Sequence, residues 1–424
     1  MTRTLSRLFV FPHGPSRILP RTNFATKRAH LCSSVRASSS SNENDDIHRI
    51  FRSKFISDDA DAQLFECAKT FSARDFTDII AEYNPDILGR KKKNQPKLGK
   101  GISGRALSSF NIVLSAFVEN ERYSEIERVF SIWREEFERL EPDLVSVSLV
   151  VTALHRTHDI ADVERFISEQ KSRLIKRPNK KVSKKKKINV NKYERDNVLP
   201  MDIVFEDNDI IAVNKTSGVP STSDPAMPSV SEFVMAMKKD DSSFSLSEMN
   251  GMDARGLVHR LDKLTSGVIV LAKNNVAHCE LVSNFYRRKT KKVYNAIVNG
   301  ICSDEQGEID FPVDNREAYS KYAVLERLER GSASLVEILP RTGRKHQIRA
   351  HLAHIGHPLV NDVMYSPKKI QKMTEKSMVV QPHSSAFFLH ARSLELPHPS
   401  NASKMLKFEA PLPALFLAEL DRMR

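Results

Sequence analysis

At 424 residues the chain is too long for one compact core, so two or more domains are expected. No stretch approaches the ~20 apolar residues that cross a bilayer, and the net charge of +13 favours an anionic partner, nucleic acid first. The four cysteines are scattered without a CxxC spacing. They support neither a zinc knuckle nor a disulfide framework, which fits a reducing compartment.

The N-terminal residues have the composition of a targeting segment. The first 42 residues contain seven arginines and lysines and no aspartate or glutamate, with serines crowded in SSVRASSSS. This combination predicts an organelle transit peptide over residues 1–45. The sequence VRA before SSSS suits a plastid, whereas Arg3 and Arg7 suit a mitochondrion equally, so both organelles stay open. A disordered tail is the alternative, although such tails usually carry both signs of charge.

Residues 51–170 have the apolar spacing of helices. Their apolar residues recur at i, i+3, i+4 and i+7 in four segments, 110–118, 123–137, 144–155 and 160–170. Glycine, proline and lysine interrupt the pattern at 89–105, which predicts a loop there. Two helix pairs with a period of about 35 residues indicate an α-solenoid.

The helical segments also resemble a known repeat. FNIVLSAFVENERYSEIERVFSIWREEFERLEPD resembles a pentatricopeptide (PPR) repeat, and LVSVSLVVTALHRTHDIADVERF resembles a second, shorter copy. In that family the helical repeats read single-stranded RNA, one base per repeat. The resemblance implies that Asn111 and Ser148 face bases. A plain helical spacer or a protein-docking module stays open as the alternative.

A lysine-rich linker is predicted over residues 171–198. Residues 171–192 hold eleven basic residues and no acid, so the segment repels itself and buries nothing when alone. In a basic protein it is expected to lie on phosphate, and the candidate RNA contacts are Lys184, Lys185, Lys186 and Lys187. A solubilising linker and a nuclear-type basic signal are the alternatives.

Residues 199–420 mix strands and helices, which predicts one α+β domain. MDIVFEDNDIIAVNK reads as strand–turn–strand, and GVIVLAKN as a strand buried on both faces. KVYNAIVNG alternates like a half-buried strand, and SASLVEILP does the same. HQIRAHLAHIG has helical spacing, and two late strands follow in FLHARSLEL and KMLKFEAPLP.

Three motifs of this domain resemble the RluA-type pseudouridine synthases: GLVHRLDKLTSGVIVLAKN, KKVYNAIVNG and TGRKHQIRAHLAHIGHPLVNDVMYS. They occur in the family order, and the resemblance covers roughly residues 200–415. It implies a catalytic domain with a mixed, mainly antiparallel sheet, and an isomerase that turns uridine into pseudouridine without cofactor or metal. Two positions depart from the pattern: Lys345 replaces a common threonine, and Asn361 replaces a glycine that often precedes Asp362. They concern substrate fit.

The resemblance implies a catalytic set of Asp262, Arg349 and Tyr294. Asp262 is the carboxylate beside the sugar and the base. Arg349 pairs with it, and a nearby cation favours the charged form of a carboxylate. Tyr294 stacks on the target base, and its hydroxyl is a candidate for removing the proton from carbon 5.

Four neighbouring residues are candidate RNA contacts. Flipping the target uridine out of its stack costs a few kcal/mol and leaves a gap between the neighbouring bases. Arg260 is the candidate for stabilising that gap, through a contact with a phosphate or a base. Leu261 and Ile348 are expected to wall the pocket. His259 is interpreted as a structural hydrogen-bonding residue rather than a general base, although histidine titrates near neutrality.

The substrate is expected to be ribosomal or transfer RNA of an organelle, with messenger RNA as a further option, and the protein is expected to be a monomer. The alternative is a non-catalytic organellar RNA-binding protein built on the synthase fold. A pure binder needs no carboxylate facing anionic RNA, which favours the enzyme. Four histidines, His346, His351, His354 and His357, lie close in sequence but lack HExxH or cysteine spacing, so no metal is predicted.

Overall fold

The structure is a computed structural model, and it describes residues 100–136, 140–175, 201–222, 224, 227–328, 330, 332–365 and 386–424. The predicted transit peptide, the beginning of the helical region and most of the lysine-rich linker, with Lys184–Lys187, lie outside these residues. Among the described helices, none is both long and apolar enough to cross a membrane.

Each of the four predicted helical segments is a helix: α1 (Lys100–Glu119), α2 (Tyr123–Glu136), α3 (Leu144–Thr157) and α4 (Ile160–Ile175). The prediction of a loop over 89–105 is wrong from Lys100 onward, because the last proline of that stretch is Pro96 and the glycines that follow it disfavour a helix without preventing one. The first residues assigned to the linker are also helical. Lys171 is held there by an ion pair to Glu248, at 3.0 Å.

Asn111 and Ser148 lie inside the protein, so their predicted base-facing roles are wrong. Asn111 is 4% exposed, and its side-chain oxygen accepts a hydrogen bond from the Ser146 hydroxyl at 2.7 Å. Its amide donates to the carboxylate of Asp143, the N-cap of α3, at 3.3 Å. These polar groups join α1 to the start of α3 and leave no surface for RNA.

The described residues from Met201 onward contain both strands and helices. Nine strands are present among them: β1 (Asp202–Glu206), β2 (Ile210–Lys215), β3 (Ser266–Ala272), β4 (Lys291–Asn299), β5 (Gln306–Asp310), β6 (Tyr319–Leu328), β7 (Ala333–Pro340), β8 (Leu389–His398) and β9 (Asn401–Glu409). The helices are α5 (Val230–Met237), α6 (Asn275–Tyr286), α7 (Gln347–His354) and α8 (Ala414–Met423). All of the strands and the α7 helix predicted from sequence periodicity are present.

One mixed sheet contains all of these strands, in the order β1-β2-β3-β8-β4-β7-β6-β5, with β9 paired to β8. Within the described chain only β3 and β8 pair in parallel, which agrees with the expected mainly antiparallel sheet. Every residue of β3 is buried, as its continuous apolar run predicts. The alternation of β4 predicts a half-buried strand, but Asn295–Val298 is buried on both faces because core residues cover the middle of the sheet on each side.

Gly267 makes the central pairing of β3 and β8 possible. Its φ is +109°, and a Cβ at this position would lie 2.2 Å from the carbonyl oxygen of Ala391. A residue with a side chain would therefore push the two strands apart. The glycine of the TSG sequence fixes the centre of the sheet, next to the loop that carries Asp262.

Candidate active site

The loop that carries Asp262 is attached to the loop after β2. The Ser221 hydroxyl donates to the carbonyl of Leu261 at 2.7 Å and accepts from the amide of the same residue at 3.0 Å. The Ser217 hydroxyl donates to the carbonyl of Leu264 at 2.7 Å. The backbone is thus fixed on both sides of Asp262, which presents the carboxylate in one position.

Lys215, at the end of β2, is part of this arrangement although the sequence did not point to it. Its fully buried ammonium donates to the carbonyl oxygens of Thr216, Val219 and Lys263 at 3.1, 2.8 and 3.0 Å. Burial lowers the pKa of Lys215 to about 7, and the negative charge of Asp262 opposes that shift. Three acceptors match the three N–H groups of the ammonium, so Lys215 joins the two loops beside Asp262.

Arg349 reaches Asp262 but is bound mainly by a second carboxylate, Asp362. Its Nη1 lies 3.6 Å from Asp262, whereas Nε and Nη2 donate to Asp362 at 2.6 and 2.8 Å. The guanidinium also lies over the rings of Tyr365 and Phe387, 4.9 and 4.5 Å from their centroids. The expected ion pair is therefore present at a longer distance than a hydrogen bond, and Asp362 is the partner that the sequence did not reveal.

Asn361 has a conformation that accounts for its departure from the family pattern. Its φ is +66°, in the left-handed region where glycine is favoured and asparagine is tolerated. The turn can therefore form with either residue. It places the buried carboxylate of Asp362 against Arg349.

Tyr294, on β4, packs against the apolar cluster that contains Leu261 and against the one that contains Ile348. Leu261 and Ile348 are buried and line the cleft, as predicted. Burial, reinforced by the charge of Asp262, raises the pKa of the Tyr294 phenol well above its ordinary value. The hydroxyl is therefore protonated at neutral pH, and no phenolate is present to take the proton from carbon 5. The ring remains the surface offered to a base.

His259 is held as a neutral side chain. The backbone amide of Val270 donates to its Nε2 at 2.9 Å, and its ring stacks on Phe285 at 4.8 Å. Burial, together with the charge of Lys292, lowers the pKa of His259 to about 3. These contacts favour the structural interpretation. The neighbouring Arg260 is exposed at the edge of the cleft, and its contact with RNA remains a prediction.

Asp262 lines a cleft of about 540 Å³ whose charged groups are nearly all cations. Among the described lining residues Asp262 is the one acid, against seven cations, Arg260, Arg288, Lys292, Arg341, Arg344, Lys345 and Arg349. Burial and the neighbouring Arg288 lower the pKa of Lys292 to about 8. Such crowding of positive charge suits a polyanion. Arg260 and Arg349 were predicted from the sequence as site residues, and Lys345, noted there as a departure that concerns substrate fit, also lines the cleft.

Gln347 shapes the basic loop between β7 and α7. Its buried side-chain oxygen accepts from the Thr342 hydroxyl at 2.7 Å and from the Arg344 amide at 2.9 Å, and its amide group donates to the carbonyl of Tyr319 at 3.1 Å. The loop ends at His346, whose Nε2 lies 3.7 Å from Asp262. Burial lowers the pKa of His346, although the charge of Asp262 acts in the opposite direction.

The other three histidines of that segment, His351, His354 and His357, each make a contact of their own. His351 Nε2 lies 2.9 Å from the carbonyl of Phe311, and His354 stacks on the same phenylalanine ring at 3.7 Å. His357 Nδ1 lies 3.0 Å from the carbonyl of Asn299. Their closeness in sequence therefore does not make a common ligand set.

A group with metal-ligating side chains lies elsewhere, where the β1–β2 and β8–β9 turns meet: Asp207, Asp209 and His398. His398 Nε2 lies 2.9 Å from Asp207, whose other oxygen accepts from the amides of Asp209 and Ile210 at 2.8 and 2.9 Å. These bonds connect the two hairpins.

Comparison with known proteins places this architecture in a family. The family model for RNA pseudouridylate synthase matches residues 209–354, which include Asp262, Tyr294 and Arg349. The chain is 36% identical over 209 residues to an uncharacterized RNA pseudouridine synthase of Aquifex aeolicus, covering 44% of this chain and 64% of that protein.

Two further relatives are matched over more of their own length. YlyB of Bacillus subtilis, an uncharacterized RNA pseudouridine synthase, is 33% identical over 53% of this chain and 74% of its own. The dual-specificity RNA pseudouridine synthase RluA of Vibrio parahaemolyticus is 34% identical over 47% of this chain and 79% of its own. The chain belongs to the RNA pseudouridine synthase family, whose members are isomerases.

Proposed function

We propose that this protein converts uridine to pseudouridine in RNA, with Asp262 as the catalytic carboxylate. The observation that carries the proposal is a cleft in which Asp262 is the one acid among the described charged lining residues and the others are cations, with Arg349 at 3.6 Å and the ring of Tyr294 in the same cleft. The bond between N1 and the sugar breaks, the base turns, and carbon 5 joins the sugar. Carbon 5 loses a proton and N1 gains one, so no oxidant is needed.

Asp262 serves three routes equally well: attack on the sugar, attack on the base, or removal of a sugar proton that leads to a glycal. Each needs an ionised, fixed carboxylate. Arg349 supplies a fixed positive charge, and the loop contacts of Ser217 and Ser221 supply the fixed backbone. Tyr294 provides the apolar face against which the turned base lies.

The proposed substrate is ribosomal or transfer RNA of a plastid or mitochondrion, bound by a monomer. The acid-free, arginine-rich first 42 residues support an organelle, and the net charge of +13 supports RNA as the partner. The test is pseudouridine mapping of RNA from both organelles in cells with and without the protein. Some pseudouridine sites should be lost in cells that lack the protein. Those sites that return when the unchanged gene is supplied, but not when the Asp262→Asn gene is supplied, identify the substrate. No lost site in either organelle would reject the organellar proposal.

The predicted lysine tether has a salt signature. Replacing Lys184–Lys187 with glutamine should flatten the dependence of log K on log[salt] by up to about 3, since each single-strand phosphate contact contributes about 0.7. Affinity should fall equally for related and unrelated RNAs. The measurement is RNA binding over a salt series, with Lys404→Gln/Lys407→Gln on β9 as the control. An unchanged slope would show that the linker is only a spacer.

Lys215→Met should slow isomerisation by about 10²-fold with RNA affinity nearly unchanged, because the loop that carries Asp262 loses its attachment to the loop after β2. Single-turnover rates of pseudouridine formation measure this. Lys263→Met is the matched control, since its side chain is exposed on the same loop and it keeps the backbone carbonyl that Lys215 binds. Equal rates of pseudouridine formation in Lys215→Met and Lys263→Met would contradict a role of Lys215 in positioning Asp262.

A further inference from the structure

The helical region is fixed to the synthase domain through a buried carboxylate. Glu280, on α6, has a side chain only 1% exposed and lies against α3. It accepts hydrogen bonds from Thr152 at 3.3 Å and Arg156 at 3.1 Å, and His155 Nδ1 lies 2.8 Å away. Moving the helices away would leave this carboxylate buried without partners or force it into water, so α3 and α6 are held together.

Apolar packing and a second set of ion pairs extend the contact. Val147 and Val151 of α3 share a buried cluster with Cys279 of α6 and with Met249, Val163, Ile167 and Val276. At the other end, Glu119 of α1 pairs with Arg287 at 3.1 Å and Lys289 at 2.6 Å. The α1–α4 helices therefore share a core with the synthase domain.

This packing brings the first turn of α3 to the edge of the cleft. Val145 lines the same cleft as Asp262, and so do Val282, Phe285 and Tyr286 of α6. Val145 and Tyr286 pack against the same helical core, and all four side chains are partly exposed. The part of the cleft between α3 and α6 is therefore apolar, unlike the basic loop between β7 and α7.

We propose that this apolar part of the cleft binds the base of a nucleotide next to the target uridine, with Val145 as one of the residues that contact this base. The inference rests on the proposed function. A uridine that leaves its stack deprives its neighbour of a stacking partner, and an apolar wall replaces that partner. Arg288, two residues beyond α6 and in the same cleft, suits the accompanying phosphate.

The apolar wall predicts that the pocket responds to the presence of a base. Val145, Val282 and Phe285 offer no hydrogen-bonding groups from their side chains, and of the four wall residues Tyr286 alone carries a polar atom, so base identity should matter much less than the presence of a base. Its contribution should disappear when the neighbouring nucleotide lacks its base. The helical region then acts as a wall of the synthase cleft and not as a reader of one base per repeat.

The test uses fluorescein-labelled 12-nucleotide RNAs with one central uridine among adenosines, either complete or without the base on the 5′ or the 3′ side of the uridine. Binding to the full chain is measured by anisotropy. We expect about tenfold weaker binding for one of the two abasic RNAs. With Val145→Asn this difference should shrink to less than about twofold, while Val145→Ile should keep it.

Ile160→Asn is the matched control, because Ile160 is an apolar residue of the same helical region, 52% exposed and outside the cleft lining. It should keep the tenfold difference. Equal binding of all three RNAs to the unchanged protein, or a difference that persists in Val145→Asn, would overturn the proposal. If melting shows that Val145→Asn does not fold, Val145→Ala takes its place with the same expectation.

The two proposals fail in different ways. Pseudouridine formation is assayed on organelle RNA with the same protein samples, whereas the abasic comparison requires no turnover. Asp262→Asn should show the same difference between complete and abasic RNAs. Base-dependent binding without any isomerisation would contradict the proposed synthase activity and support the proposed base pocket. Isomerisation without base-dependent binding would support the synthase activity and contradict the base pocket.

Discussion

Asp262→Asn is expected to abolish pseudouridine formation while RNA affinity stays within a few-fold of that of the unchanged protein. The amide has the shape of the carboxylate but neither its charge nor its nucleophilic oxygen. Loss of the reacting group should cost at least about 10⁴ in rate, or about 5.5 kcal/mol in the barrier. Binding should change little, because removing the one acid from a basic cleft does not weaken its attraction for phosphate.

The measurement pairs single-turnover pseudouridine formation with RNA binding for the same samples. Asp224→Asn is the matched control, because Asp224 forms an ion pair with Lys263, the neighbour of Asp262, at 3.3 Å. It removes one negative charge from the same region and should react at nearly the normal rate. Pseudouridine formed by Asp262→Asn at a comparable rate would end the assignment of Asp262.

Sequence periodicity was sufficient for the elements that surround the site. The apolar run of β3 and the two strands around the turn at Asp207–Asp209 are local patterns, and the structure agrees with them. The set of Asp262, Tyr294 and Arg349 came from motif resemblance, since no local pattern joins residues so far apart in the chain. The structure brings all three to one cleft.

Contacts between side chains that meet only because the chain reverses direction could not be predicted from the sequence. Lys215 ends an apolar strand, where a lysine is normally solvated, and it is buried because three carbonyl groups converge on it. Asp362 meets Arg349 only because the chain reverses after α7 and turns at Asn361. Neither arrangement leaves a signal in residue spacing.

The helical region illustrates a further limit of periodicity. The 3.6-residue period located α3, but every residue from Ser146 to Ala153 is buried. A helix packed against other helices on one side and against α6 on the other gives a base no access to the residues from Ser146 to Ala153, and Val145 in its first turn is the part that reaches the cleft. The PPR-like interpretation assumed that Asn111 and Ser148 pointed outward, and periodicity alone could not reveal the second packing partner.

Arg349→Met is expected to lower both activity and stability. It leaves Asp362, whose side chain is 1% exposed, as a buried carboxylate without its cation, which should reduce the free energy of unfolding by about 3–5 kcal/mol. Isomerisation should slow by about 10²–10³-fold, because the fixed positive charge 3.6 Å from Asp262 is lost. Urea unfolding and single-turnover rates measure the two effects.

A double variant separates the two roles of Arg349. Arg349→Met/Asp362→Leu removes both members of the buried pair, so no charge is stranded and part of the lost stability should return. The remaining loss is that of the acceptor for the backbone amides of Met364 and Tyr365. Activity should stay as low as in Arg349→Met, because Asp262 still lacks its neighbouring cation. Restored activity in the double variant would mean that Arg349 matters only for folding. A double variant as unstable as the single one would contradict the stranded charge of Asp362 as the cause of the lost stability.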